Sequence, residues 1–219
     1  MLKTAFCIIS GAFLVIYLSS CKQSKGIESS GLPYYNTPDF TPLWLNSEEA
    51  ADKITHRVGN FSFTNQNGKT VNASDLKGKI HVANFFFSSC GSICPKMTEN
   101  FRRLQQRFLK NDDILLLSFS VTPWIDSVPR LQLFAKKNNV NPGKWHLLTG
   151  KKADIYRIAR QSYFAEEEMG ITKDSTEFLH TEHFLLVDQT GKLRGIYNGT
   201  LALETERLMD DIDLLIRGE

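Results

Sequence analysis

Phe85-Phe86-Phe87-Ser88-Ser89-Cys90-Gly91-Ser92-Ile93-Cys94-Pro95 is the stretch on which the fold of this chain turns. The apolar run that enters it, His81 to Phe87, predicts a central strand buried on both faces. The run stops at Ser88-Ser89. Two cysteines follow, and Pro95 then opens a pattern in which Met97, Phe101, Leu104 and Phe108 recur at steps of three and four. That spacing makes one apolar helix face. Proline suits the first helical turn, where its missing N–H costs nothing. Cys94 therefore falls at or just before a helix N-terminus, with Cys90 in the loop above it. Partial positive charge at that end favours thiolate over thiol. Strand, two cysteines and helix make a reactive dithiol setting. The alternative, two buried structural cysteines, fits poorly with a polar loop.

Outward from this stretch, strands and helices alternate. Phe61 and Phe63 precede an Asn67-Gly68 hairpin turn, with Val71 on the return strand. Ser74-Asp75 starts a short helical turn. Beyond the Pro95–Lys110 helix, Ile114 to Val121 reads as a second apolar strand. Asp126 or Ser127 caps a helix with Pro129 in its first turn and Val128, Leu131, Phe134 and Ala135 on one side. Trp145 to Leu148 is a short strand and Lys152 to about Tyr163 a helix. Phe164 to Phe178, with Glu166-Glu167-Glu168, lacks periodicity and reads as a loop over one end of the sheet. His183 to Asp188 and Leu193 to Tyr197 form a strand pair around Gly191. Leu201 to Arg217 ends the chain as a helix, with Leu201, Leu208, Ile212 and Leu215 on one face. The expected fold class is α/β: a thioredoxin-like sandwich, a central mixed sheet flanked by helices, with an N-terminal hairpin extension.

Composition bounds the rest. Of 219 residues, 42% are hydrophobic, enough for one domain with a full core. The net charge of +2 falls to +1 without residues 1–20, whose single charge is Lys3, and gives no sign of nucleic-acid binding. The four cysteines differ in context. Cys7 lies in the apolar segment Ala5 to Leu18, which reads as a secretory signal and is short for a membrane span. Leu18-Ser19-Ser20-Cys21 resembles a bacterial lipobox, which implies cleavage before Cys21 and lipid on that residue. The expected division is a lipoprotein signal peptide over residues 1–20, a lipidated tether and irregular segment over 21–60, and the thioredoxin-like domain over 61–219. A lipid-anchored protein of the bacterial cell envelope, its domain outside the cytoplasm, follows. Residues 33–60 carry Tyr34, Tyr35, Phe40, Trp44 and Leu45 as docking candidates but no assignable elements.

Phe87 to Pro95 resembles the Cys-x-x-x-Cys-Pro motif of the Sco/SenC family, thioredoxin-fold copper proteins linked to assembly of cytochrome c oxidase. The likeness runs from about Phe61 to the C-terminus. Ser120-Val121-Thr122-Pro123-Trp124-Ile125-Asp126 resembles that family's Ser-Val-Asp-Pro-x-x-Asp segment, and Leu147-Leu148-Thr149-Gly150 its Leu-Thr-Gly. His180-Thr181, followed by an apolar strand and Gly191, resembles its ligand-histidine segment. The family often has an acid where Thr122 stands, and Thr-His-Cys-Pro where Ser88-Ser89-Cys90-Gly91 stands.

From the residues alone, a single histidine such as His180 reads more often as a surface or hydrogen-bonding side chain than as a ligand. The resemblance implies that Cys90, Cys94 and His180 hold copper, as Cu(I) or Cu(II), and that the partner is the CuA subunit of cytochrome c oxidase or another copper or thiol protein. Cu(I) is soft and suits two thiolates with one neutral imidazole. The competing reading is a thiol–disulfide oxidoreductase using Cys90 and Cys94 without metal. A zinc site would need a fourth ligand, for which only Asp126 offers itself. A peroxidase is disfavoured by Phe87, three residues before Cys90. His183 should face away from His180 by strand alternation. His56, His81 and His146 carry no motif.

Overall fold

A computed structural model of the chain describes residues 31–89, 91, 93–165 and 181–218. The expected signal segment, Cys7, Cys21, Cys90, His180 and the Glu166–Glu168 run lie outside the described residues. In chain order the elements are β1 (Tyr34–Tyr35), β2 (Pro42–Leu43), α1 (Ser47–Lys53), β3 (Ser62–Asn65), β4 (Thr70–Asn72), a 3-10 turn (Ala73–Leu76), β5 (Ile80–Phe86), α2 (Cys94–Arg107), β6 (Ile114–Ser120), α3 (Val128–Lys137), β7 (Trp145–Thr149), α4 (Lys152–Gln161), β8 (His183–Val187), β9 (Leu193–Asn198) and α5 (Ala202–Arg217).

β5 is buried along its whole length because neighbours and helices enclose it. It pairs in parallel with β6, from Ile80↔Ile114 to Phe86↔Ser120, and antiparallel with β8. β6 pairs in parallel with β7, and the sheet order is β2-β1-β9-β8-β5-β6-β7-β3-β4. The result is the expected mixed, thioredoxin-like sheet. Its β3–β4 hairpin turns through Gly68 at φ +74°, a conformation glycine adopts without steric cost.

Strand alternation divides the core between the two faces. Ala83, Phe85, Leu117, Phe119 and Leu185 pack with Ile155, Tyr156, Ile158 and Ala159 of α4. Val82, Phe86, Leu116 and Leu147 pack with Met97, Phe101 and Leu104 of α2, Leu131 of α3, and Leu208, Ile212 and Leu215 of α5. Phe101 sits 4.8 Å from Phe184 and 5.2 Å from Trp145, ring centre to ring centre. Each side chain of this size contributes roughly 1.5–3 kcal/mol by leaving water.

Several expectations need correction. α2 starts at Cys94 and ends at Arg107, short of Lys110. Leu201 precedes α5 and is exposed, so the buried face of that helix begins at Thr205. Ser127 stands at the N-cap of α3 but makes no side-chain capping bond. Trp44 is exposed rather than docked.

Residues 33–60 do have structure. β1 joins the sheet at Tyr35↔Leu193 of β9. Arg194 donates to the carbonyls of Leu32 (2.7 Å) and Pro33 (3.1 Å) and lies 3.8 Å from the Tyr34 ring centre. Lys192 donates to the carbonyl of Ala50 at 2.7 Å. Buried cations at the start of β9, Lys192 just before it and Arg194 within it, thus hold a segment too short and irregular to declare itself by periodicity. No helix among the described residues is long and apolar enough to cross a membrane.

Candidate functional site

The parallel register Phe86↔Ser120 sets the carboxyl ends of β5 and β6 level with each other. Ser88 follows β5 and Thr122 follows β6, so both hydroxyls emerge at the same edge of the sheet. Crevices outside the carboxyl ends of parallel strands are favoured binding places in α/β folds. A tight turn comes next: the N–H groups of Ile125 and Asp126 both donate to the Thr122 carbonyl, at 2.8 and 2.9 Å. The turn aims Asp126 back under the loop. Its side chain has no exposed surface. Oδ2 accepts from Ser120 Oγ (2.6 Å), Thr122 Oγ1 (3.1 Å) and the Ser88 N–H (3.2 Å), and Oδ1 accepts from the Ser88 hydroxyl. Arg130, one turn into α3, donates from Nε to Ser88 Oγ at 2.8 Å and stands 3.6 Å from Asp126 Oδ1. Four donors and a nearby guanidinium compensate the buried carboxylate.

Cys94 is the first residue of α2, followed at once by Pro95, and is 6% exposed. Ile93, at the N-cap, carries no side-chain acceptor for the first-turn donors. Negative charge on the sulfur is favoured at that position. Beside Cys94 opens a cavity of about 430 Å³ between the start of α2 and the outer face of α3. The described part of the donor set is thus one soft sulfur at a pocket mouth. Asp126, which accepts from Ser88 just beyond β5, is committed to hydroxyl and amide donors. One sulfur suits a thiophilic ion, and Asp126 has no carboxylate oxygen spare for a hard one. That commitment also removes Asp126 as a fourth zinc ligand.

The SCO1/SenC family model matches residues 49–217. The chain belongs to the SCO1/SenC family. It resembles a SCO1/SenC family lipoprotein from Bacillus anthracis at 32% identity and a TM-score of 0.64, covering 74% of this chain and 96% of that one. BsSco, described as a member of the Sco family of cytochrome c oxidase assembly proteins and studied for a disulfide switch, is 29% identical, with a TM-score of 0.59 over 74% of this chain and 95% of its own. Arabidopsis thaliana ScoI with copper bound is 25% identical, with a TM-score of 0.56 over 74% and 98%.

Of the residues singled out in this SCO1/SenC chain, Cys94 lies where the spacing puts it, while Cys90 and His180 are outside the described residues. The other histidines have other work. His56 Nε2 is 2.9 Å from the Ser162 carbonyl, and His146 Nδ1 is 3.4 Å from Asn65 Nδ2. His81 is buried, with Nε2 3.0 Å from the Tyr163 hydroxyl, and burial pulls its pKa down to about 3. His183 opens β8, its ring edge-on to Phe40 at 6.3 Å. Sequence reasoning missed the junction built by Ser88, Ser120, Thr122, Asp126 and Arg130. The Ser120–Asp126 motif marked two of its arms, but nothing in the sequence pairs Asp126 with Ser88.

Proposed function

We propose that this chain is a copper-binding assembly factor that carries Cu(I) on Cys90, Cys94 and His180 and delivers it to the CuA subunit of cytochrome c oxidase. Copper is the ion of this family, and it is cargo here. The observation that carries the reading is the position of Cys94: a buried sulfur opening α2 at the carboxyl end of the central strand, beside an open cavity. The antiparallel register of β8 on β5, His81↔Val187 to Ala83↔Leu185, supports His180 as third donor. Continued along the strands, it sets His183 level with Phe85. The chain therefore enters β8 from the end of the sheet where β5 gives way to the cysteine loop. Lipid on Cys21 would tether the domain to a membrane of the cell envelope, outside the cytoplasm.

The test is a titration of the reduced full chain with Cu(I) against a competing chelator. One tight equivalent is expected, lost in Cys90→Ser and Cys94→Ser and weakened at least about 100-fold in His180→Ala. Parental affinity in His180→Ala would overturn the ligand assignment.

The first-turn position of Cys94 also favours a second reading, a membrane-tethered thiol–disulfide oxidoreductase. Cys90 and Cys94 would form a disulfide while a partner's disulfide takes up their two electrons and two protons to become two thiols. Absence of tight Cu(I) binding, with rapid exchange against a disulfide substrate, would favour it.

A further inference from the structure

The cavity beside Cys94 is asymmetric in its chemistry. Phe87, Pro95, Leu133 and Phe134 give it an apolar lining, interrupted by the polar Ser88, Thr98 and Asn138. Phe134 is held in place by Phe86, 5.3 Å away. Leu133 is 71% exposed although it lies on a helix with a well-buried opposite face. The charged groups in the lining are Arg130 and Lys137, one near each end of α3, and no carboxylate lines it among the described residues. Arg130 spends only its Nε on Ser88 and has 46% of its side chain exposed. Asp126, the acid beneath Arg130, is sealed from solvent and already saturated with donors. Lys137 forms no ion pair among the described residues, and Lys136 next to it adds to the positive field. An apolar trough between two cations is complementary to a chain that alternates apolar and acidic side chains. Its volume of about 430 Å³ is in the range that takes a few side chains rather than a whole domain face.

We infer that this trough is a docking site for an acidic, apolar peptide segment of the protein that exchanges copper or thiols with Cys94. Its apolar side chains lie on Phe87, Pro95, Leu133 and Phe134, and its carboxylates meet Arg130 and Lys137. The inference deepens the proposed function, resting on it for the partner's task but not for the trough.

The experiment uses the full chain and a fluorescein-labelled, end-blocked pentapeptide that alternates aspartate with phenylalanine. A twin with lysine in place of each aspartate is the comparison. Anisotropy should show saturable binding of the acidic peptide, at least about ten-fold tighter than of its twin and weaker as salt rises. Lys137→Glu and Leu133→Asp should each weaken binding about ten-fold or more while the Cu(I) equivalent stays intact. Equal binding of the two peptides, no saturable binding, or parental affinity in either variant overturns the docking site. So does a dimer of the chain that Leu133→Asp dissolves, since a second copy would then occupy the trough. A parent chain that selects the acidic peptide but takes up no Cu(I) overturns the copper reading and leaves the trough standing.

Discussion

Ser88 gives both its backbone N–H and its hydroxyl to the carboxylate of Asp126, 38 residues further along the chain. The first residue after the central strand's apolar run is thereby pinned to the turn that follows the neighbouring strand. The pin lies two positions from Cys90 in sequence, so the loop leaves the sheet from a fixed point.

Asp126→Ala should destabilise the fold by about 3 kcal/mol, because it leaves the donors of Ser88, Ser120 and Thr122 without an acceptor in a buried place. Urea unfolding of the full chain measures this. Asp126→Asn should recover part of the loss, since an amide oxygen still accepts. A loss below about 1 kcal/mol for the alanine variant would mean that water replaces the carboxylate at little cost.

Stability should fall with acid through His81. Its pKa in the fold is about 3 against an ordinary 6.5, burial being the cause. Above pH 6.5 both folded and unfolded chains hold the ring neutral, and the contribution is fully present. Below 6.5 the unfolded chain takes up a proton that the fold refuses, so stability is lost at up to about 1.4 kcal/mol per pH unit until pH approaches 3. In His81→Gln that slope disappears, so the difference between the parent's and the variant's unfolding free energies should change steadily from pH 6.5 downward. Parallel pH profiles would show that His81 is protonated within the fold.

Phe101→Ala should cost about 3–5 kcal/mol, because the ring is fully buried between Trp145 and Phe184 and the strands around it cannot collapse into the void. The denaturant midpoint should drop with the slope unchanged. An altered slope would instead place the effect in the unfolded chain.

Tyr34→Ala should loosen the N-terminal segment alone. The ring covers the Arg194 guanidinium at 3.8 Å, an arrangement worth up to about 2 kcal/mol when shielded from water. Limited proteolysis within residues 32–54 should accelerate several-fold, while Cu(I) uptake stays at the parental level. Unchanged cleavage would mean that the Arg194 bonds to Leu32 and Pro33 suffice.

The central strands and the helices around them were legible because their patterns are long: seven buried residues in β5, seven in β6, and a clear face on α2. Cys94 was legible because Pro95 marks a helix start. What escaped was short or long-range. β1 and β2 are two residues each, and the segment that carries them is held at Leu32, Pro33 and Ala50 by Arg194 and Lys192 from far along the chain, which no local period can report. Leu201 fits the apolar spacing of α5, but the helix begins one residue later and turns it to solvent. The Ser88–Asp126 bond depends on β5 and β6 ending level, which is a matter of register. The two places where the chain departs from the usual family pattern, Ser88-Ser89-Cys90-Gly91 and Thr122, meet at that same carboxylate. Both positions supply a hydroxyl donor there.

The grip on Leu32 and Pro33 fixes the direction in which the chain enters the sheet. Tyr35 pairs with Leu193, Leu193 with Val187, and Val187 with His81, at the amino end of β5. Cys94 follows the other end, about 17 Å away along the strand at its ordinary rise. Because β1 runs antiparallel to β9, and β9 runs the same way as β5, going back from Tyr35 to Leu32 leads towards the carboxyl end of β5, the end that Cys94 follows. A partner that reaches the sulfur therefore stands at the end of the sheet from which the chain enters β1.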